Sequence, residues 1–206
     1  MKLSVEDLND ESRFRQILTI SYNDIAPFVF EYLKRFTAVT ITFWSFCLVF
    51  LGIALIIRIN IAGYYPWTNI FSHTLLGLIL LPLAVVPVHE FLHALPFLAT
   101  GSKNIRAGMD LRQFIFYVTV HRQVISRGTF IIVASVPFIV VSVILLFLIY
   151  NLPGLWKWSL SLFLFVHTTM CAGDFAMLNL YHINRKKKIV SWDDADKKEA
   201  YFYEEF

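Results

Sequence analysis

Residues 70–99 read IFSHTLLGLILLPLAVVPVHEFLHALPFLA, a long apolar run that contains His89-Glu90-Phe91-Leu92-His93. On a helix, His89 and His93 lie four residues apart and share one face. Two imidazoles on one face can bind a single divalent ion, and Glu90 beside them can take a proton from an attacking water. The pattern therefore predicts a zinc site on a helix in an apolar environment.

The composition of the chain indicates a membrane protein with several spans. Of its 206 residues, 57% are hydrophobic, with 20 Phe and 5 Trp, which is more apolar than an ordinary soluble domain. The two cysteines, Cys47 and Cys171, lie in apolar runs and provide no disulfide framework. The basic clusters lack the motif context of a nucleic-acid-binding protein, so we expect no nucleic-acid partner.

Four apolar segments are long enough to cross a hydrocarbon core of about 30 Å. They are residues 37–59, 70–99, 128–150 and 155–183. The second is long for one span, and its three prolines, at positions 82, 87 and 96, should kink or divide it. Residues 1–36 form a cytosolic lead-in and residues 184–206 a charged cytosolic tail. We therefore expect one all-α integral membrane domain, residues 1–206, with about four transmembrane helices in the lipid bilayer.

The polar stretch between the second and third spans contains a segment that favours a strand. Its residues are mostly aromatic or β-branched: Phe114, Ile115, Phe116, Tyr117, Val118 and Thr119, continued by Val120. The pattern predicts a short cytosolic β-like hairpin between helices 2 and 3. Its strand could be an ordinary structural element, or an edge that pairs with an unwound substrate segment.

The distribution of Lys and Arg predicts the orientation in the membrane. Basic residues precede the first span, fill the stretch 100–127 and follow the fourth span, whereas the loops 60–69 and 151–154 carry none. The positive-inside rule then places both termini in the cytosol, although solvated chain ends would give the same clusters. The polar start shows no signal peptide, and this pattern suits a bacterial inner membrane.

A zinc site on His89 and His93 needs a third protein ligand. Carboxylates are rare in the spans, and apart from Glu90 only Asp174 lies inside one. His89 and Asp174 each lie 19 residues after the predicted outer end of their span, which puts both about 28 Å deep, near the cytosolic side. Gly173 beside Asp174 should permit close helix approach. A packing or proton-relay carboxylate is the alternative interpretation of Asp174.

Two further side chains of the fourth span have both a functional and a structural interpretation. His167 lies two turns before Asp174 on nearly the same face, so it could support a metal ligand or serve only as a hydrogen-bonded bundle histidine. Cys171 is better explained by buried packing. His73 and His121 are unsuitable as ligands because the first lies on another helix face and the second in the basic loop.

The layout of these motifs resembles known metallopeptidases. His89-Glu90-x-x-His93 in an early span, a strand-like cytosolic segment, and Gly173-Asp174 in a late span resemble the site-2-protease type of intramembrane zinc protease. Residues 28–206, with a proline in the third span and an acidic, aromatic tail, are still more similar to the DUF3267 family of zincin peptidases.

This resemblance implies roles for four residues. It implies that His89, His93 and Asp174 bind zinc and that Glu90 is the general base. The last motif departs from the site-2 proteases, which usually carry Asp-Gly in a segment with Asn or Pro. This departure affects the expected role of that helix in binding substrate.

The predicted function is a zinc-dependent endopeptidase that cleaves a membrane protein or membrane-associated peptide. A non-catalytic metal-binding scaffold is one alternative, but a structural site has no need of Glu90 as a base. A small transporter is another, but the chain lacks paired repeats. A di-iron centre on Glu90 and His93 would require a second Glu-x-x-His and more carboxylates than the spans offer.

Overall fold

α-Helices form most of the molecule in the computed structural model, which describes residues 3–110 and 115–206. They are α1 (Ile25–Leu33), α2 (Ala38–Asn60), α3 (Trp67–Leu75), α4 (Leu81–Ala99), α5 (Arg127–Asn151), α6 (Gly154–Met170) and α7 (Ala172–Ile183), with a π-helical turn (Leu76–Leu80) between α3 and α4 and 3-10 turns at Glu6–Asn9 and Tyr22–Asp24. Three continuous helices of the described chain are long and apolar enough to cross a membrane. The pair α6 and α7, bent by 44°, gives a fourth if it counts as one span.

The outward surfaces of these helices are apolar. Leu48 on α2 is 70% exposed, and Phe147 on α5 is 66% exposed. Large apolar side chains pointing away from the bundle are expected where lipid rather than water surrounds a helix. The surface is therefore compatible with a multi-pass membrane protein.

Two of the four predicted spans agree closely with the observed helices, and the other two differ. α2 and α5 lie within one residue of the predicted segments 37–59 and 128–150. The second segment starts earlier, at Trp67, and its prolines do not divide it, because the chain stays helical through the π-helical turn to Ala99. The fourth is not one straight helix, since Cys171, with ψ near 7°, separates α6 from α7.

A four-stranded antiparallel sheet corrects the expectation of an all-α protein. Its strands are β1 (Phe14–Ser21), β4 (Ile125–Ser126), β5 (Lys188–Asp194) and β6 (Glu199–Glu205), in the order β1-β6-β5-β4. The predicted lead-in and tail are therefore folded against each other rather than separate polar ends. Ala200 and Phe202, two residues apart on β6, are buried on one face of the sheet.

The predicted hairpin between the second and third spans is confirmed. β2 (Ile105–Asp110) pairs antiparallel with β3 (Ile115–Val120). Phe114, included in the predicted strand, lies outside the described residues. His121, directly after β3, forms an isolated parallel bridge with Asp193. This bridge brings the end of β5 beside the end of β3.

Two apolar clusters position the helices relative to the sheet. The larger one fills the bundle, where Phe43, Phe138 and Phe175 bring α2, α5 and α7 together. The second packs Tyr181 of α7 against Phe202 of β6. Because α7 takes part in both clusters, its first turn has a fixed position between the bundle and the sheet.

Candidate metal centre and its cavity

Both histidines of the His-Glu-x-x-His sequence face the inside of the bundle from α4. They lie one helical turn apart and expose only 7% (His89) and 9% (His93) of their surface. Their Nε2 atoms are 3.2 Å apart. Two buried imidazole nitrogens this close need a shared proton or a shared cation between them.

Asp174 completes this group from the first turn of α7. Its Oδ2 lies 3.5 Å from His89 Nε2, and its Oδ1 lies 3.4 Å from His93 Nε2. Zinc bonds of about 2.0–2.1 Å in a tetrahedron place neighbouring ligand atoms about 3.3–3.4 Å apart. The observed spacings of 3.2, 3.4 and 3.5 Å match that edge length, so these three residues fit a zinc ion.

A carbonyl group on α5 fixes the ring of His93. His93 Nδ1 lies 2.9 Å from the carbonyl oxygen of Val133. In an uninterrupted helix that carbonyl would accept from the N–H of residue 137, but Pro137 has no N–H. The free carbonyl therefore accepts from His93 Nδ1–H, which leaves Nε2 unprotonated and able to bind a metal.

His167 supports His89 in the corresponding way. Its Nε2 lies 3.2 Å from His89 Nδ1. A metal-binding His89 must carry its proton on Nδ1, and this proton points at His167. His167 is fully buried, and its Nδ1 has no hydrogen-bond partner among the described residues. The geometry thus places His167 behind a candidate ligand, the position from which it could orient that ligand.

Cys171 lies beside His167, with its sulfur 3.9 Å from His167 Nε2. His89, His167 and Cys171 together could also be considered a donor group for a metal. Cys171 and His167 are completely buried and do not line the cavity, so this group offers no open coordination position. We therefore assign it to packing and support.

Glu90 and the candidate ligands line a cavity of about 250 Å³ between α4, α7, β3 and the sheet. Glu90, His89 and His93 have ligand atoms within 4.8 Å of one another. Gly173 also lines this space. A Cβ added to Gly173 would meet nothing within 4 Å, so the expected close helix contact is wrong. Its missing side chain instead leaves room beside Asp174.

Strand β3 forms one wall of this cavity. Phe116, Tyr117, Val118 and Thr119 all line it. In the described part of the chain, β3 pairs only with β2, on one edge. The residues predicted to pair with substrate therefore lie beside the candidate metal centre, with Phe114 and the side chain of Ile115 outside the description.

The part of the cavity lining formed by β5 and the second 3-10 turn contains polar residues that the sequence did not indicate. Asp193 of β5 and Tyr22 of the second 3-10 turn both line it, and Tyr22 Oη donates to Asp193 Oδ1 at 3.1 Å. Burial raises the pKa of Asp193 to about 6, although the Thr119 and Tyr22 hydroxyls oppose that rise. Non-local contacts of β5, with β6 and with His121 after β3, position Asp193 here, so no local sequence pattern pointed to it.

The remaining polar residues considered above stay away from the metal centre. His73 Nδ1 lies 2.7 Å from Ser159 Oγ, in a contact between α3 and α6. His121 Nδ1 accepts a hydrogen bond of 3.1 Å from the N–H of Ala195. Both histidines therefore have partners within the protein, and neither lines the cavity.

Comparison with known proteins gives one match. No curated protein and no solved structure matches this chain. A family model, DUF3267, with the description "Putative zincin peptidase", matches residues 82–189. The matched region covers just over half of the chain and contains the whole donor group around His89, His93 and Asp174. The chain therefore belongs to the DUF3267 family.

Proposed function

We propose that this protein is a zinc-dependent endopeptidase of the membrane. One observation carries the proposal: the donor atoms of His89, His93 and Asp174 have the mutual spacing of a tetrahedral zinc site. Glu90 lies beside them at the wall of a cavity that can admit water and a peptide. Three protein ligands, one open position and an adjacent carboxylate form the donor set of a hydrolytic zinc site.

The residues of the chain divide the chemistry between them. When bound, zinc supplies a Lewis acid that polarises the scissile carbonyl and lowers the pKa of the attacking water to about 7. Glu90 accepts a proton from this water as the water oxygen bonds to the carbonyl carbon. Glu90 then gives the proton to the amide nitrogen as the carbon–nitrogen bond breaks.

Two supporting contacts hold the ligand rings in place during this reaction. The Val133 carbonyl orients His93, and His167 orients His89. Both contacts keep the Nε2 atoms directed at the same point and free of protons. Such outer partners keep the ligands in place when the cavity is empty of substrate.

The proposed substrate is a membrane protein or membrane-associated peptide. The candidate ligands lie on apolar helices, and the charge pattern of the sequence supports a position near the cytosolic side, with both termini in the cytosol. We propose that the free edge of β3 pairs with an extended substrate segment and presents its backbone to Glu90. A peptide bond inside a helix is shielded, so an extended segment is the form that water can attack.

A non-catalytic zinc scaffold is the main rival function. It would need His89, His93 and Asp174 but would gain nothing from Glu90. A small transporter could use the same carboxylate and histidines for protons, but the chain shows no paired repeats. Glu90 therefore separates the peptidase from both rivals.

The test compares the wild type with Glu90→Gln and His89→Ala. Each purified protein is reconstituted in liposomes, its zinc content is measured by mass spectrometry, and cleavage of a fluorogenic peptide library is followed. We expect Glu90→Gln to keep zinc and to lose about 10²- to 10⁴-fold in cleavage rate, because it cannot accept the proton. His89→Ala should lose both zinc and cleavage.

Two outcomes would contradict this function. Stoichiometric zinc in His89→Ala would refute the ligand assignment. Zinc in both the wild type and Glu90→Gln, with no difference in cleavage, would favour the scaffold. Comparative proteomics of membranes from cells carrying Glu90→Gln gives an independent readout, because an uncut natural substrate should accumulate.

A further inference from the structure

A polar patch lies among the apolar residues of the cavity wall. Apolar side chains such as Ile20, Phe28 and Ile125 form most of the lining away from the metal centre. Among them lies Asp193, with the Tyr22 hydroxyl donating to its Oδ1. A carboxylate that faces an apolar cavity is costly unless something in that cavity binds it.

Asp193 has no cationic partner among the described residues. No ion pair involves it, and the groups acting on its ionisation are burial and two hydroxyls. Neither Lys nor Arg occurs among the described residues that line the cavity. Thr119 beside it is 95% buried, and its hydroxyl has no hydrogen-bond partner within the described chain. The patch therefore has unused capacity to accept and donate hydrogen bonds.

The charges that line the cavity indicate which kind of ligand group Asp193 could bind. The two positive charges of a zinc ion would be balanced by the carboxylates of Glu90 and Asp174. Asp193 would then remain as a negative charge with no counterpart. A cation entering with the substrate would neutralise it.

We propose that Asp193, with Thr119 and Tyr22, forms a subsite for a Lys or Arg side chain of the substrate. This inference rests on the proposed peptidase function and names its substrate class. The ammonium or guanidinium group binds Asp193 at one end of the cavity, while the substrate backbone lies along β3 toward Glu90. The subsite selects where along a substrate the cleavage occurs.

A basic side chain fits the position predicted for the site in the membrane. Lys and Arg are enriched in the segments that follow transmembrane helices on the cytosolic side. An extended segment at the cytosolic end of a substrate's span would bring such a residue to the cavity. The substrate class is therefore a membrane protein cleaved beside its basic cytosolic border.

The test uses a positional series of fluorogenic peptides with Lys, Gln or norleucine at one site at a time. Wild type, Asp193→Asn and Asp196→Asn are compared in liposomes for kcat/KM. Asp196→Asn is the matched control, because this carboxylate is 69% exposed and does not line the cavity. Binding of the same peptides to Glu90→Gln and to Glu90→Gln with Asp193→Asn is measured by fluorescence anisotropy.

We expect one position at which the wild type prefers Lys over Gln at least tenfold. Asp193→Asn should reduce that ratio to about one while keeping its zinc, and Asp196→Asn should retain it. The absence of a Lys preference in the wild type, or its persistence in Asp193→Asn, would overturn the subsite. If the wild type cleaves no better than Glu90→Gln, the peptidase function fails instead, and the binding ratios then decide the subsite alone.

Discussion

Asp174 and Asp193 are two partly buried carboxylates that line one cavity, and their surroundings differ. Asp174 lies within 3.5 Å of two histidine nitrogens on α4. Asp193 has hydroxyl neighbours and no ion pair within the described chain. Asp174 thus has its partners built into the fold, whereas Asp193 lacks a positive one. The proposed zinc site and the proposed subsite for a basic side chain both follow from this difference, because Asp174 has two imidazole partners and Asp193 has no cationic partner among the described residues.

The comparison is tested most severely by exchanging each carboxylate for its amide. For Asp174→Asn we expect zinc affinity to fall about 1,000-fold, or ~4 kcal/mol, because a neutral amide is a poor zinc ligand. Asp193→Asn should leave the zinc affinity within about twofold, since it does not contact the donor atoms. Competition with a chromogenic chelator measures both. Equal losses in the two variants would show that Asp193 contributes to zinc binding as much as Asp174 does.

Asp193→Asn should make the fold more stable at neutral pH. Burial raises the pKa of Asp193 from about 3.8 to about 6, so ionisation at pH 7.5 opposes folding by about 3 kcal/mol. The sign follows from proton binding: the folded state holds the proton more tightly, so the wild type loses stability as pH rises through about 6. The amide removes this penalty.

The measurement is thermal unfolding in detergent at pH 7.5 and pH 5. The advantage of Asp193→Asn over the wild type should be largest at pH 7.5 and should shrink at pH 5. Asp196→Asn, an exposed carboxylate in the turn after β5, should show no such pH-dependent gain. A variant that is less stable than the wild type at both pH values would mean that Asp193 is a structural residue.

Local sequence patterns predicted the cavity residues that lie on helices better than Asp193, which lies on strand β5. The spacing of His89 and His93 requires only one helical turn, and Asp174 followed from being the remaining carboxylate in a span. The 3.6-residue period and span length are local properties, so α2 and α5 were predicted within one residue. The hairpin at β3 was likewise visible as a β-branched, aromatic run.

The sheet and Asp193 depend on contacts between distant parts of the chain. β1 pairs with β6, which places Phe14 opposite Glu205. No local pattern shows which strands pair across such a long sequence separation. The charged residues of the tail also made strands β5 and β6 hard to recognise in the sequence. The bend at Cys171 was also missed, because no proline lies at this position to mark a break in the helix. Non-local pairing therefore explains what the sequence analysis left out.

Pro137→Ala tests the smallest expected effect, the support of a metal ligand from a neighbouring helix. Alanine restores an N–H that can bond to the Val133 carbonyl and so competes with His93 Nδ1–H for it. The carbonyl has a second lone pair, so we expect only about a tenfold loss of zinc affinity, within the range for outer partners of metal ligands. Chelator competition measures the loss. Pro96→Ala is the control, because Pro96 also lies inside a helix, α4. This substitution does not alter the Val133 carbonyl, so it should leave zinc affinity unchanged. If both prolines behave alike, Pro137 acts through general helix geometry and not through the hydrogen bond that holds His93.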